Sequence, residues 1–350
     1  MSGIRLYTGT AAGLFVWEQM REGWKQVASL DRRPFLWAIS GAQGDPERVY
    51  AASSDDGLYR TEDAGRSWSR VLVGNVRSVT VDPSDDDVVY AGTDPVHLYR
   101  SEDRGATWKE LRHLTDLPPD VTRRWRFPVP PEQGHILNIF IHPDEPTTIY
   151  LCIEHGGVVR SFDRGETWED VSEGLLDYPD MHMVASLPHS FDRYYVSSAR
   201  GFFTSADPGR GWVRAENGFT RDYYHDFVFL APADGESRPT MLVATADKSP
   251  GSWDRPEHAR SAVFRSTDCA ESWHRVGNGL PELMEEGIWG FVRNPANQRG
   301  AFLGLGRIYF RDHARPCGAG GVFATSDGGE SWERIPIELA AVRALYAAAN

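Results

Sequence analysis

The stretch SEDRGATW, from Ser101 to Trp108, places a hydroxyl residue, an acid, a glycine and a tryptophan at fixed offsets. Five further stretches of the chain repeat this spacing: TEDAGRSW, SFDRGETW, SADPGRGW, STDCAESW and TSDGGESW, which end at Trp68, Trp168, Trp212, Trp273 and Trp332. Chance does not place six copies of a four-point pattern in 350 residues, so the spacing indicates an internal repeat. We call each copy a box.

The residue types in the box are those of a tight turn. Asp and Ser or Thr side chains bind nearby backbone amides, Gly accepts positive φ, and Trp can enter a core. The box aspartates are therefore predicted to hold a turn rather than to catalyse. One copy has Ala270 where the others have glycine, and we expect its turn to be slightly altered.

The sequence between boxes predicts four short strands per repeat. The unit around Ser101 has four such runs, VRSVTV, DDVVYAG, HLYRSED and TWKEL, and its box falls between the third and fourth strands. The N-terminal stretch has second, third and fourth strands only, while Val342 to Ala348 has a first-strand pattern. The sequence predicts a seven-bladed all-β propeller, one domain over residues 1–350, closed by both terminal strands in one blade.

Composition restricts the class of partner. The net charge is -13, which disfavours nucleic acid and anionic lipid as partners. No apolar run approaches a membrane span and no signal segment precedes the first strand, so we expect a cytoplasmic protein that binds no membrane. Three cysteines without metal-type spacing agree with a reducing compartment. The sequence leaves the oligomeric state open.

The boxes resemble the Asp-box, or BNR, repeat of sialidases, sortilin-type receptors and photosystem II assembly factor propellers, and the resemblance extends over nearly the whole chain. It implies a propeller whose boxes lie on the face opposite the usual ligand site. Because that fold serves glycosidases, receptors and assembly factors, the resemblance is specific for fold and weak for function.

Three long insertions are predicted on one face, which we call the top: residues near 110–134, 246–261 and 307–321. Loops longer than chain closure requires often carry function. Residues that begin first strands point to the same face, and three consecutive blades place histidine there: His135, His182 and His225. We predict that these three could hold a divalent metal such as Zn, Mn or Fe, with plain polar lining of a channel as the alternative.

Other side chains on the top face supply the remaining candidates. Glu286 and Asp180 could serve as catalytic bases. Arginine, histidine and tryptophan could clamp or stack on a substrate, and the residues predicted for this role are Arg77, Arg307, Arg343, His155, His313 and Trp289.

These features favour a cytoplasmic enzyme, a hydrolase or lyase, that acts on a small polar or anionic molecule in a central top-face pocket. Metal-assisted hydrolysis or elimination is the leading hypothesis. A glycosidase-like hydrolase with paired carboxylates and no metal is one alternative. A scaffold for protein interaction or assembly, without catalysis, is another.

Overall fold

The protein is an all-β propeller of seven four-stranded antiparallel sheets, which confirms the predicted fold class. The computed structural model describes residues 3–30, 35–128, 132–187, 193–253, 258–309 and 315–349. In chain order the first fifteen strands are β1 Ile4–Thr10, β2 Gly13–Met20, β3 Gly23–Leu30, β4 Leu36–Gly41, β5 Val49–Ser53, β6 Gly57–Thr61, β7 Ser69–Leu72, β8 Val76–Asp82, β9 Asp85–Thr93, β10 Leu98–Ser101, β11 Lys109–Glu110, β12 His135–Ile141, β13 Ile149–Glu154, β14 Gly157–Ser161 and β15 Glu169–Asp170. The others are β16 Met181–Ser186, β17 Tyr194–Ser198, β18 Gly201–Ser205, β19 Val213–Arg214, β20 Tyr223–Leu230, β21 Thr240–Ala246, β22 Ala262–Ser266, β23 His274–Val276, β24 Gly287–Arg293, β25 Ala301–Tyr309, β26 Arg315–Thr325, β27 Glu333–Arg334 and β28 Val342–Ala349.

The chain divides into two compact units. Unit 1 comprises Met1–Leu36 and Ala215–Asn350 and contains the sheets β28-β1-β2-β3, β20-β21-β22-β23 and β24-β25-β26-β27. Unit 2 comprises Trp37–Arg214 and contains the sheets of β4 to β7, β8 to β11, β12 to β15 and β16 to β19. Leu36, the first residue of β4, is assigned to unit 1. Within unit 2, β12 packs against both β8 and β16, so the first strands of neighbouring sheets lie side by side.

Helical structure is sparse in the described residues. One α-helical turn spans Pro119–Thr122, and 3-10 turns span Arg112–Asp116, Pro208–Arg210 and Pro250–Ser252. None of the helices described is long and apolar enough to cross a membrane.

Five of the six boxes form the same hydrogen-bonded turn, which is the one that their residues predict. In the copy at Ser101, the Asp103 carboxylate accepts hydrogen bonds from the Ser101 hydroxyl at 2.7 Å, the Thr107 amide at 2.8 Å and the Thr107 hydroxyl at 2.6 Å. The Gly105 amide donates to the Ser101 hydroxyl at 2.7 Å. The same bonds recur at the copies that begin at Thr61, Ser161, Ser266 and Thr325.

The copy with Ala270 differs slightly from the others: its Trp273 indole donates to the Ala215 carbonyl at 2.9 Å, whereas Trp68, Trp168 and Trp332 each donate to the carbonyl of their own box glycine. Ala270 adopts φ 69° and keeps the hydrogen bond from its amide to Ser266 at 3.0 Å. The copy at Ser205 departs further, because Pro208 stands where the other five boxes have a residue at positive φ, a conformation that proline cannot adopt. Gly211 also stands where the others have a hydroxyl residue. There Ser205 donates to the Gly211 carbonyl at 2.6 Å, and Asp207 caps a 3-10 turn.

The predicted closure is confirmed within unit 1. Strand β28 pairs antiparallel with β1 from Ile4 opposite Ala349 to Thr10 opposite Val342. The core of this sheet includes Leu6 and Val342, which belong to one buried cluster with Phe302 and Val322 of the neighbouring sheet. A terminal strand therefore supplies both the hydrogen bonds and the apolar contacts that β1 would otherwise lack.

The described part of the third predicted insertion, near 307–321, lies in strands β25 and β26. Strands β25 and β26 continue into it as a hairpin, with Arg307 opposite Cys317 and Tyr309 opposite Arg315. Residues 310–314 lie outside the described residues. The glycines of this stretch fit a site where backbones pack closely, since a Cβ at Gly320 would come within 2.3 Å of the Ala340 carbonyl oxygen.

Candidate functional site

Six of the seven first strands carry an irregularity near their start. Each has an extra residue that the partner strand does not match, at Arg77 in β8, Leu137 in β12, His182 in β16, His225 and Asp226 in β20, Trp289 in β24 and Arg343 in β28. Such a β-bulge redirects side chains, and bulges are enriched beside active sites. Five of the predicted site residues lie at these bulges, namely Arg77, His182, His225, Trp289 and Arg343.

In unit 2, the start of β12 brings a buried histidine against a carboxylate. His135 is 3% exposed and lies opposite Glu154, the last residue of β13. The His135 Nε2 atom forms an ion-pair contact with Glu154 Oε2. On the other side of the ring, His135 Nδ1 lies 3.9 Å from Asp94 Oδ2.

A second group forms around Asp180, one residue before β16. Its side chain lies between two imidazoles: His182 Nε2 is 3.6 Å from Oδ1 and His155 Nε2 is 3.5 Å from Oδ2. Both Asp180, 7% exposed, and His182, 5% exposed, are buried. His155 follows Glu154 in a tight turn at φ 56°, so the turn after β13 delivers adjacent residues to both groups.

Arg77 completes the charged cluster of unit 2. Its Nη2 atom donates to Asp94 Oδ2 at 2.6 Å, and its guanidinium lies 4.3 Å from the centre of the Trp37 ring. Arg77, Asp94, His135 and Glu154 thus form a chain of alternating cationic or imidazole and carboxylate groups. The Arg77 guanidinium is already engaged by Asp94, so its predicted role in holding a substrate anion stays a prediction.

Burial and neighbouring charges shift the pKa values of this cluster in opposite directions. For Glu154, burial favours the neutral form, but the charges of His135, His182 and Arg77 outweigh it and lower the pKa. For Asp180, burial and then the charge of Glu154 raise the pKa well above its usual value. Burial lowers the pKa of His155. The cluster therefore combines groups that differ in how readily they ionise.

Three residues of the cluster offer atoms that could hold a metal ion. One ligand atom each from Glu154, Asp180 and His182 lies within 4.8 Å of the other two. Two of these residues were predicted from the sequence, His182 as a ligand and Asp180 as a base. Glu154, the last residue of β13, and Asp94, the residue after β9, were not among the predicted residues, although the adjacent His155 was.

Aromatic rings from the turns around the cluster cover its histidines. Phe127, from the predicted insertion at 110–134, lies with its ring centre 5.5 Å from His135 and 5.2 Å from His155. Tyr178 lies 6.3 Å from His155 by the same measure. Both aromatic side chains are half-buried. The first long insertion thus contributes directly to the surroundings of the site.

Four other predicted residues belong to unit 1. Trp289 is buried: its indole N–H donates to the Gly306 carbonyl at 2.7 Å, and its ring centre lies 4.9 Å from that of His225. The Arg343 guanidinium lies 4.4 Å from the centre of the Trp289 ring. Arg307 forms an ion pair of 2.9 Å with Glu285. The metal role of His225 and the substrate roles of the other three stay predictions.

The last two predicted residues also fall in the segments of unit 1. Glu286 is half-buried at the residue before β24. His313 lies outside the described residues. Asp226, in β20, accepts hydrogen bonds from the amides of Phe227 at 2.9 Å and Phe291 at 2.6 Å, and burial raises its pKa to about 7 despite these hydrogen bonds.

Sequence comparison relates part of the chain to two proteins that are named as xyloglucanases. No family model matches the chain. It is 26% identical over 210 residues to an oligoxyloglucan-reducing end-specific xyloglucanase of Emericella nidulans, covering 58% of this chain and 24% of that protein. It is 25% identical over 216 residues to a probable enzyme of the same name from Neosartorya fischeri, with the same coverage. The chain therefore spans about a quarter of the length of these curated relatives.

Solved structures with the same fold include a xyloglucanase and a YCF48 protein. A GH74 xyloglucanase from Xanthomonas campestris matches with a TM-score of 0.62 and 16% identity, over 86% of this chain and 45% of that one. The YCF48 protein from Cyanidioschyzon merolae matches with a TM-score of 0.59 and 16% identity, over 91% and 90%. At these identities the structural matches establish the propeller fold alone.

Proposed function

We propose that the protein is a hydrolase that acts on a carbohydrate, with the buried cluster of unit 2 as its active site. The single observation that carries the proposal is the convergence of Glu154, Asp180 and His182, whose ligand atoms lie within 4.8 Å of one another. The curated relatives, whose names describe xyloglucanases, support the carbohydrate as substrate class.

Paired carboxylates suit the hydrolysis of a glycosidic bond. The reaction needs a proton for the leaving oxygen and a carboxylate that attacks the sugar or activates water. Glu154 and Asp180 offer oxygens closer than 4.8 Å. That separation is nearer to the roughly 5–5.5 Å of retaining glycosidases than to the roughly 6.5–9.5 Å of inverting ones. If the pair acts without a metal, a retaining mechanism is the better fit.

The surroundings of the pair also suit a sugar. Phe127 and Tyr178 are half-buried beside His155, and aromatic rings offer apolar contact to the faces of sugar rings. Arg77 and Asp94 lie on the other side of His135 and provide hydrogen-bonding groups for hydroxyls.

Isotope labelling of products tests the reaction class. We would incubate the protein with xyloglucan oligosaccharides and 4-nitrophenyl glycosides in water enriched in oxygen-18, and analyse the products by mass spectrometry. Hydrolysis predicts fragments with one oxygen-18 at the new reducing end. Unsaturated fragments without the label would show elimination, and intact substrates across the whole panel would contradict the proposal.

A further inference from the structure

We infer that Glu154, Asp180 and His182 hold one divalent metal ion. The inference deepens the proposed function: the role of the ion in catalysis rests on that function. The binding of the ion does not, because metal binding can be measured without any substrate. The three residues come from the end of β13, the residue before β16 and the bulge of β16. They therefore belong to two neighbouring sheets of unit 2, and the ion would join them.

The ligand atoms of the group are close enough for one ion to join them after a small approach. His182 Nε2 and Asp180 Oδ1 are separated by 3.6 Å, which exceeds the usual hydrogen-bond range. In a tetrahedral site with metal-ligand bonds of about 2.1 Å, neighbouring ligand atoms lie about 3.4 Å apart. All three ligand atoms lie within 4.8 Å of one another, so no separation would need to shorten by more than about 1.4 Å.

An unpaired oxygen supplies an independent argument. Asp180 is 7% exposed, and its Oδ1 atom has no hydrogen-bond partner among the described residues. A buried carboxylate oxygen without a partner carries an energetic penalty of about 1–3 kcal/mol or more. This atom lies in the group, beside His182. A cation bound there would give it the partner that the described protein groups do not.

Two neighbouring imidazoles, those of His155 and His135, lie against the carboxylates of Asp180 and Glu154. His155 Nε2 lies 3.5 Å from Asp180 Oδ2, the oxygen that does not face His182. His135 contacts the Glu154 carboxylate, and Asp94 lies beside the far nitrogen of His135. Side chains that orient metal ligands in this way are typical of metal sites. His155 and His135 are positioning residues in this arrangement.

The donor set indicates the class of ion. One imidazole and two carboxylates suit zinc or manganese, and three protein ligands leave a coordination position for water. Zinc is the first probe because its tetrahedral geometry needs only one further ligand. The sequence analysis had grouped His182 with His135 and His225. The geometry replaces those two histidines with Glu154 and Asp180.

Titration calorimetry with zinc tests the inference. Protein purified without a histidine tag and stripped with a chelator is titrated with zinc chloride, alongside Asp180→Asn, His182→Gln and the control Asp177→Asn. Asp177 is exposed and three residues from Asp180, so the control removes the same charge outside the group. We expect one zinc per chain, affinity reduced by roughly 100-fold or more in the first two variants, and no change in the control.

Two results would overturn the inference. One is the absence of zinc and manganese binding by the stripped native protein at micromolar concentrations. The other is binding that persists unchanged in Asp180→Asn and His182→Gln, because the ion would then lie elsewhere. If either variant does not fold, the Tm of the native protein is compared with and without zinc, since an ion that binds the folded protein raises Tm and one that does not bind leaves Tm unchanged. Hydrolysis that continues in the presence of chelator would leave the proposed function intact while refuting the metal.

Discussion

At the scale of single residues, the box shows how much a backbone conformation constrains residue choice. Gly105 has φ 80°, a region that L side chains rarely adopt, and a Cβ there would lie 3.2 Å from Trp108 and 3.3 Å from Tyr50. Ala270 occupies the equivalent position at φ 69° with the same hydrogen bond. One box therefore tolerates a left-handed alanine, which costs about 1–2 kcal/mol relative to an ordinary conformation.

We expect Gly105→Ala to lower the free energy of unfolding by about 1 kcal/mol, because it introduces that left-handed alanine and a tight contact with Trp108. The reciprocal change Ala270→Gly removes the strain and should leave stability unchanged or raise it by up to about 1 kcal/mol. Urea unfolding of both variants measures the effects. A loss of stability in Ala270→Gly larger than that in Gly105→Ala would show that glycine is not what the position requires.

The sequence predicted only some residues of the candidate site, because these residues differ in how visible they are in the sequence pattern. Asp180 and His182 begin a first strand, where the sequence analysis searched. Glu154 could have been found by counting across the β12-β13 hairpin, since the pairing places it opposite His135. The bulge at His182 could not be found in this way, because the extra residue leaves no mark on the alternation of polar and apolar residues.

At the scale of the element, the box acts as a turn whose hydrogen bonds depend on an ionised aspartate. Although burial acts the other way, hydrogen bonds from the Ser331 hydroxyl and amide and from Thr325 lower the pKa of Asp327. Those from Thr107 and Ser101 lower the pKa of Asp103 to about 2. Because these pKa values lie below those of the unfolded chain, the stabilisation is present above about pH 4 and is lost as the pH falls toward the folded values.

We expect Asp327→Asn to reduce the free energy of unfolding by about 1–3 kcal/mol at pH 7, because the amide NH2 group that replaces one carboxylate oxygen cannot accept the hydrogen bond from the Ser331 hydroxyl while the remaining oxygen binds the Ser331 amide. The difference from the native protein should shrink as the pH falls from about 5 to about 2, where the native aspartate becomes protonated. Urea unfolding at several pH values measures this. A difference that stays constant over the whole range would exclude the ionised carboxylate as the source of stability.

At the scale of the whole molecule, repetition made the fold predictable. The boxes mark turns through local chemistry that does not depend on distant contacts, and they fixed the number of sheets and the order of strands. The pairing of β28 with β1 followed from counting strands, since neither end had a complete blade. Counting strands did not predict the length of the β25-β26 hairpin, because that length depends on how far the backbones of the two strands continue to pair.

Deletion of residues 342–350 tests the closure of the terminal sheet. The deletion removes β28, its pairing with all of β1 and the buried side chains of Val342 and Ala347. We expect loss of cooperative thermal unfolding and aggregation through the exposed edge of β1. Deletion of Met1 and Ser2 is the control and should change Tm little, because β1 begins at Ile4. A shortened chain that unfolds cooperatively at the native Tm would contradict a structural role for the closure.

The measurement that tests the central claim most directly is the rate of carbohydrate hydrolysis by Asp180→Asn and Glu154→Gln, compared with Asp177→Asn. On the substrate identified by oxygen-18 labelling, we predict that kcat/KM falls at least about 100-fold in the first two variants and stays within about twofold in the control. Circular dichroism and Tm establish that each variant is folded. Full activity in folded Asp180→Asn and Glu154→Gln would contradict the account, because the cluster of unit 2 would then not be the active site.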